Sequence, residues 1–307
     1  MLLKTGYRNC VLGVSYFAGL IKIIFTSQRI QMELIMQRLQ ILLVVVLVAL
    51  SCASNALAKK DSQAWAMWNS SDETNSMIID HSAFDGFLKT YVLSNHSSGI
   101  NRFRYADVTR RDAKALDKYI AKMASIDPRD YRKLEQKAYW LNLYNALTLQ
   151  GLLKVYPMTA VDRDKISRKR RVSVAGKKLS VADIDQRILR PIWQDYKMVF
   201  GLSCATVGCP AIHAQAFTGR NTNKLLKQYA REFINHPRGL TVSRDQLRVS
   251  RIFSWYRDDF GGGDRQLIRL FSHYAEDSKA LYILGFSGDI EYAYDKRINA
   301  PETRWPL

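Results

Sequence analysis

The sequence feature that most constrains the fold is a long apolar segment between Glu135 and Tyr156, which is followed by Pro157. A helix through this segment carries apolar side chains on nearly every face, and such a helix is buried on all sides. Proline lacks a backbone N–H and its ring blocks the helix from continuing, so Pro157 predicts the helix end. The segment therefore predicts a central buried helix with the rest of one domain packed around it.

Three polar residues interrupt this apolar segment, namely Asn142, Asn145 and Thr148. Their three-residue spacing brings them onto one face of the helix. A buried polar side chain must find hydrogen-bond partners or it lowers stability. Two interpretations remain open. In the one we favour, the asparagines hold loop backbone; in the other, they bind a ligand together with Tyr144.

The remaining periodicity predicts helices and hairpins. Three segments have the apolar spacing of amphipathic helices: residues 82–93, 112–125 and 223–235. Ser180 and Asp183 form a capping pattern at the start of another helix, which Pro191 breaks or kinks. Three segments alternate like strands: the hairpins at 171–181 and 239–249, and residues 289–294. The expected fold class is α+β, a predominantly helical single domain with a small antiparallel sheet built from hairpins.

The N-terminal part has the pattern of a secretion signal. Residues 41–50 are ten consecutive apolar residues, with Arg38 before them and Ala56-Leu57-Ala58 after them. A charged start, a short apolar core and a small-x-small site are typical of a cleaved signal peptide. We therefore expect a periplasmic protein exported through such a peptide.

This pattern sets the predicted domain organisation. Residues 1–58 are assigned to an over-called start plus the signal peptide, residues 59–75 to a polar lead-in, and residues 76–307 to a single globular domain. The alternative is an anchor in the inner membrane formed by residues 41–58. The polar second half of that segment makes it shorter than the roughly 20 apolar residues that a spanning helix needs.

Basic residues dominate the charge, which is formally +18. They crowd between Arg163 and Lys178, in a run that includes Arg168, Arg170 and Arg171. Such a run can bind phosphate through counterion release, but no nucleic-acid motif accompanies it, so we expect no nucleic-acid partner. The candidate partners are anionic lipid, acidic polysaccharide or an acidic protein. The interpretation we favour is a basic hairpin that only faces solvent.

Two cysteines, Cys204 and Cys209, remain once residues 1–58 are removed. An even pair in an exported protein is interpreted first as a disulfide. The alternative is a reactive thiol, because Pro210 favours a helix start whose N–H groups stabilise a thiolate, and His213 would share that face. A metal site formed by these two cysteines and His213 is the least favoured interpretation, since four clustered ligands are expected.

Other residues could serve a thiol as base or as orienting carboxylate. They are His81, His96, His236 and His273, and Asp80, Asp183, Asp185, Asp259 and Asp295. The sequence has no phosphate-binding loop, no dinucleotide fingerprint, no nucleophile elbow and no His-Glu-x-x-His motif. No cofactor and no metal are therefore predicted.

Several motifs follow one another along the chain: Asp80–Asp85, Ala138–Thr148, Val174–Gly176 leading to Ile188–Pro191, Cys204–Pro210, and Arg251–Tyr256 with Asp259–Phe260. Together they resemble the family known as domain of unknown function 547, over nearly all of the chain after the signal segment. The resemblance implies an exported bacterial protein whose activity is largely unassigned. Some eukaryotic relatives look like fusions with glutaredoxin-like modules, which implies a connection to thiol chemistry.

The chain departs from the usual pattern of that family at three positions. Gln186 stands where relatives often have a histidine, so that helix lacks the side chain that would act as a base. Ala205 stands where relatives usually have glycine, and His213 where many have a basic residue.

Two functions are consistent with these observations. The first is an exported envelope protein of unassigned activity that binds an acidic or peptide-like ligand. Its predicted site is one cleft around Cys204 and Cys209, lined also by Asn142, Tyr144 and Asn145. The alternative is a thiol-dependent hydrolase or transferase with Cys209 or Cys204 as nucleophile.

Overall fold

The computed structural model describes residues 36–45, 65–162, 166–243 and 246–303, and leaves the side chains of Arg170, Arg171, Asp277 and Ser278 undescribed. The chain divides into two compact units, residues 1–64 and 65–307. In the first unit, residues 36–45 are helical. The predicted cleavage site at Ala58 lies outside the described residues. Across the described ranges, no helix is both long enough and apolar enough to cross a membrane.

Helices form most of the second unit. In chain order they are α1 (Ser82–Tyr91), α2 (Arg110–Ala124), α3 (Lys133–Leu153), α4, α5 (Thr222–Asn235), α6 (Ile252–Trp255), α7 (Asp264–Tyr274) and α8 (Asp277–Leu284). Helix α4 has three consecutive segments, Val181–Asp183, Ile184–Leu189 and Arg190–Trp193, of which the middle one is π-helical. Short 3-10 helices cover Ala66–Asn69, Tyr105–Asp107, Pro128–Asp130 and Tyr196–Gly201.

The strands form three small sheets. They are β1 (Val92–Leu93) with β2 (Arg102–Phe103), β3 (Arg170–Val174) with β4 (Lys177–Ser180), and β5 (Leu240–Val242) with β6 (Gln246–Ser250) and β7 (Asp289–Ala293). All pairs are antiparallel except β6 with β7, which run parallel and align Leu247 with Ile290. The two predicted hairpins are therefore present, and the third strand makes one of the sheets mixed.

Helix α3 is the central helix that its apolar sequence predicts. Its residues from Glu135 to Leu149 are all buried. Trp140 packs edge-on against Trp68, with ring centroids 5.1 Å apart, and neither ring is exposed to solvent. Trp68 belongs to the segment predicted as a polar lead-in. The core therefore includes side chains from that segment.

The local sequence determines where helix α4 begins and where it is distorted. The Ser180 hydroxyl accepts from the Asp183 N–H, and the Asp183 carboxylate accepts from the Ser180 N–H, which is the predicted capping box. The distortion expected at Pro191 is present as the π-helical turn just before it. Proline removes an N–H that the preceding α-helical turn would use, and π-helical turns are frequent at functional sites.

Candidate functional site

Two asparagines of α3 hold the segment that carries the cysteines. Asn145 donates from Nδ2 to the Gly201 carbonyl at 2.9 Å and accepts from the Ser203 N–H at 3.0 Å. Asn142 makes the same pair of bonds with the backbone of Phe217, at 2.8 and 2.9 Å. The loop between Gly201 and Phe217 is thus fixed at both ends by one buried helix face. A ligand-binding role for the two asparagines stays a prediction.

Cys204 and Cys209 form a disulfide, as the even pair of cysteines predicts, with their Cα atoms 5.9 Å apart. Both residues are buried, with exposed fractions of 6% and 1%. The Cys204 N–H donates to the Cys209 sulfur at 3.2 Å, and the Tyr294 hydroxyl lies 3.3 Å from the Cys204 sulfur. The bridge therefore closes a compact loop with no exposed sulfur.

The C-terminal segment holds this loop from a second direction. The Val207 N–H donates to the Arg297 carbonyl and the Gly208 N–H to the Asp295 carbonyl, both at 2.9 Å. A Cβ at Gly208 would lie 2.7 Å from the Asp295 nitrogen, so only glycine fits this approach.

Ala205 lies inside this loop and has a φ of +60°. This is the left-handed region, which side chains with a Cβ adopt only at a cost. The geometry gives a physical reason for the glycine that relatives usually have at this position.

His213 is packed rather than placed beside a sulfur. Its ring stacks on Tyr229 with centroids 3.3 Å apart, its Nδ1 lies 3.2 Å from the Asn101 Nδ2, and its Nε2 lies 3.8 Å from Glu232. Burial, with a smaller effect from the charge of Arg238, lowers the pKa of His213 to about 3. At neutral pH the imidazole is therefore uncharged.

Two other histidines considered as bases also have a lowered pKa; His81 is buried and His236 is partly buried. The His81 Nδ1 lies 2.7 Å from the Tyr119 hydroxyl, and burial lowers the pKa of His81 to about 4. Burial likewise lowers the pKa of His236, whose Nε2 lies 2.8 Å from the Ser98 carbonyl oxygen. These positions are those of structural histidines.

The predicted residues of the single cleft do not share one cavity, and neither cysteine lines either of the two cavities that contain the others. Asn142, Asn145 and His213 line a crevice of about 10 Å³, which is the size of one water molecule. Tyr144 lines a much larger pocket of about 670 Å³. The separation has a simple cause: a helix turns about 100° per residue. Tyr144 therefore points away from the face that carries the two asparagines.

The larger pocket is the best candidate for a ligand site. It brings together segments that are far apart in sequence: Tyr144, Ala160, Val161, Asp162, Ser167, Arg168, Ala182, Asp185, Gln186, Arg190, Trp255, Tyr256 and Lys296. Two of the predicted ligand-binding residues, Tyr144 and Arg168, are among them. The side chains of Arg170 and Arg171, which were also predicted to bind, lie outside the described part of the structure.

Ordered polar contacts stabilise the wall of this pocket. The Tyr256 hydroxyl donates to the Asp185 carboxylate at 2.7 Å. Arg190 forms an ion pair with Asp259 at 2.5 Å, and its guanidinium lies 5.0 Å from the centre of the Tyr256 ring. Asp185 and Gln186 both lie on the π-helical turn of α4. The turn thus presents a carboxylate and an amide to the same cavity.

Sequence reasoning did not select Gln186, Arg190, Trp255, Tyr256 or Lys296 as site residues. A signal for three of them was available, because Arg190, Trp255 and Tyr256 lie within the motifs that carry the family resemblance. Nothing local marks Lys296. For metals, the structure places no group of three or more histidine, cysteine, aspartate or glutamate residues to hold an ion, within the ranges it describes.

The fold and the site define a class: a mostly helical α+β domain in which a disulfide loop lies against a central helix and a polar pocket borders a π-helical turn. Residues 128–234 match the family described as protein of unknown function, DUF547, which supports the resemblance that the motifs indicate. The matched range includes α3, β3, β4, α4 and the cysteine loop. No curated protein and no solved structure gives a significant match.

Proposed function

We propose that this protein binds a small acidic, peptide-like ligand in the pocket between α3, α4 and the C-terminal segment. The observation that carries the proposal is the pocket itself. Its volume of about 670 Å³ falls within the range of roughly 300–1,000 Å³ that small-molecule sites occupy. Its lining combines three aromatic rings with seven polar or charged side chains, which can orient a small ligand through hydrogen bonds.

One cation of the pocket lining, Lys296, is placed to meet an anionic ligand. Arg168, Arg190 and Lys296 are cationic, whereas Asp162 and Asp185 are acidic. The ion pair with Asp259 balances the charge of Arg190. Lys296 is exposed, and no ion pair involves it among the described residues. Its ammonium group is therefore placed to meet a carboxylate of the ligand.

The neutral lining residues suit an amide-containing ligand. Gln186 offers both a donor and an acceptor, the pair that a peptide group needs. Trp255 and Tyr256 supply aromatic surface, which binds flat or apolar parts of a ligand at small entropic cost. This composition supports an acidic peptide or a similar acidic amide more than a purely inorganic anion.

The disulfide supports the pocket in this proposal and takes no part in chemistry. The Tyr294 hydroxyl contacts the Cys204 sulfur at 3.3 Å, and the Tyr294 ring packs edge-on against Trp255 with centroids 4.6 Å apart. Trp255 is a lining residue. The bridge therefore fixes, through one tyrosine, the position of an aromatic wall.

Binding is tested with pairs of N-acetylated dipeptides that differ only in Glu against Gln, using saturation-transfer NMR and then calorimetry. The acidic member is expected to bind about tenfold more tightly, because a charge-assisted hydrogen bond replaces a neutral one. Lys296→Gln should reduce that affinity about two- to fivefold. Lys279→Gln, an exposed lysine of α8 outside the pocket, is the matched control. Equal binding of the Glu and Gln dipeptides would contradict the proposal.

The thiol-enzyme alternative is tested on the same protein with iodoacetamide. In protein that begins at Lys59, and therefore lacks Cys10 and Cys52, the buried disulfide leaves no thiolate, so the unreduced protein should take up no label. Rapid labelling of Cys204 or Cys209 in native, unreduced protein would contradict the binding function and support a thiol-dependent enzyme.

The proposed location is the periplasm, and it rests on the signal pattern at residues 41–58. N-terminal sequencing of protein released from the periplasm should give a start near Lys59. An intact leader on cytoplasmic protein would refute both the location and the cleavage site.

A further inference from the structure

The described lining of the proposed pocket carries both signs of charge. Its cations and its carboxylates are Arg168, Arg190 and Lys296 against Asp162 and Asp185. Asp259, which forms an ion pair with Arg190, adds a third carboxylate. Among the described residues, the charges of the lining and of this ion pair therefore balance. A ligand with negative charge alone would meet like charges here, and like charges that face each other reduce affinity.

One cation and one carboxylate of the lining come from paired segments of backbone. The Val161 N–H donates to the Lys296 carbonyl at 3.0 Å, and Ala160 forms an antiparallel bridge with Arg297. Asp162 follows Val161 directly, so Asp162 and Lys296 occupy neighbouring positions across this pairing. Both residues are exposed, and both line the pocket. The pocket is thus bordered by an ammonium group and a carboxylate from adjacent backbone positions.

The other lining carboxylate is less accessible to a ligand. Asp185 is 2% exposed, and its carboxylate accepts from the Tyr256 hydroxyl at 2.7 Å. Asp162 is therefore the carboxylate that is better placed to meet a cationic group. Trp255, which is 41% exposed, lines the same pocket. The face of a tryptophan ring attracts a cation, so the lining offers a second kind of contact for a positive charge.

We infer that the ligand of this pocket carries a free amino group beside its acidic group, and that Asp162 binds this ammonium while Lys296 meets the acidic group. The inference rests on the proposed function, because it concerns the same pocket. Each charge of such a ligand faces a lining charge of opposite sign, and each contact is a charge-assisted hydrogen bond.

The neighbouring positions of Asp162 and Lys296 also limit where the ligand carries its charges. The amino group and the acidic group must lie close together, as they do when an acidic residue stands at the amino terminus of a peptide. The ligand class is therefore a small peptide with an unmodified, acidic amino-terminal residue.

The test compares four dipeptides by calorimetry at pH 7: glutamyl-alanine and glutaminyl-alanine amides, each with a free and with an acetylated amino terminus. The free glutamyl form should bind about two- to fivefold more tightly than its acetylated form, the gain expected from one exposed ion pair. Equal affinities of these two, with the preference for glutamate intact, would overturn this inference alone. Equal binding of the glutamyl and glutaminyl forms would overturn the proposed function, and this inference with it.

Two variants locate the ammonium. Asp162→Asn should remove the gain from the free amino group, while the preference for glutamate remains. Asp258→Asn is the matched control, because Asp258 is exposed, lies two residues after Tyr256 and is not part of the described lining. It removes the same charge and should retain the whole gain. An equal loss in both variants would refute the assignment to Asp162.

A pH titration of the wild-type protein gives an independent readout. The amino group of the ligand has a pKa of about 8, whereas a lysine has one of about 10.4. The advantage of the free over the acetylated glutamyl dipeptide should therefore disappear between about pH 7 and about pH 9.5. Protein groups titrate in the same way in both measurements, so the comparison isolates the ligand amine. An advantage that persists undiminished at the higher pH would overturn the inference.

Discussion

Replacing Asn145 with alanine should destabilise the protein far more than its small change in volume suggests. Asn145 is 4% exposed and bonds to both the Gly201 carbonyl and the Ser203 N–H. Neither backbone group has another hydrogen-bond partner within the described ranges. The substitution therefore leaves a buried donor and a buried acceptor unsatisfied.

The expected magnitude follows from these two groups. Each unsatisfied buried group costs about 1–3 kcal/mol, so Asn145→Ala should lower the free energy of unfolding by about 2–6 kcal/mol. Total stabilities of domains are about 5–15 kcal/mol, so the variant should remain folded in the absence of denaturant. Asn145→Asp preserves the shape but places a carboxylate against the Gly201 carbonyl. It should be at least as destabilising, which separates hydrogen bonding from volume.

The assay is urea unfolding followed by circular dichroism, because the midpoint reports stability while the slope checks that the same transition is measured. Gln150→Ala is the matched control on α3, since its hydrogen bond to Asp117 is exposed and its loss should change stability by less than about 0.5 kcal/mol. Native-state reduction of the disulfide should also be faster in Asn145→Ala. A loss of less than about 1 kcal/mol would refute the reasoning that this asparagine holds the loop.

Three further predictions concern the same loop. Replacing both Cys204 and Cys209 with serine should lower the free energy of unfolding by about 2 kcal/mol, the value for a short closed loop; an unchanged urea midpoint would contradict it. Ala205→Gly should raise the melting temperature by about 1–3 °C, because relief of the left-handed strain at φ +60° exceeds the entropy that glycine adds to the unfolded chain; a lower melting temperature would contradict it. His213 takes up a proton more readily in the unfolded chain, where its pKa is near 6.5, than in the folded chain, where it is about 3. Stability should therefore fall from pH 7 to pH 5 by at most about 1.4 kcal/mol per pH unit for this group, and His213→Gln should show a smaller fall over the same range.

The elements that could be predicted are those whose signal is local. The apolar sequence of α3, its end near Pro157 and the capping box of Ser180 depend on residues within a few positions of one another. The hairpins of β3 with β4 and of β5 with β6 have the same property, since a short turn sets the register.

The features that could not be predicted depend on distant contacts. The parallel pairing of β7 with β6 joins segments about forty residues apart, and alternation in β7 alone does not indicate a direction. Helices α7 and α8 were not predicted. The burial of Trp68 depends on its contact with Trp140, which lies 72 positions away in the sequence. In each case the missing information is tertiary.

The candidate site was only partly predictable for a related reason. Tyr144 and Arg168 were selected and do line the pocket, but they were placed in one cleft with Asn142 and Asn145. The angular position of each residue on α3 was available from the sequence and separates Tyr144 from the asparagines. The sequence does not indicate the conformation of the π-helical turn. That turn brings Asp185 and Gln186 to the pocket.

The disulfide and the pocket therefore have separable roles that one set of variants distinguishes. Both cysteines are buried, and Tyr294 connects the Cys204 sulfur to Trp255 of the pocket lining. If the bridge is structural, the double serine variant should lose stability while the protein that remains folded still prefers acidic dipeptides. Lys296→Gln should instead keep its stability and lose part of the preference for acidic dipeptides, because the Lys296 side chain is exposed and contributes charge rather than packing. If the double serine variant instead lost binding at full stability, the cysteines rather than the pocket would be responsible for the function.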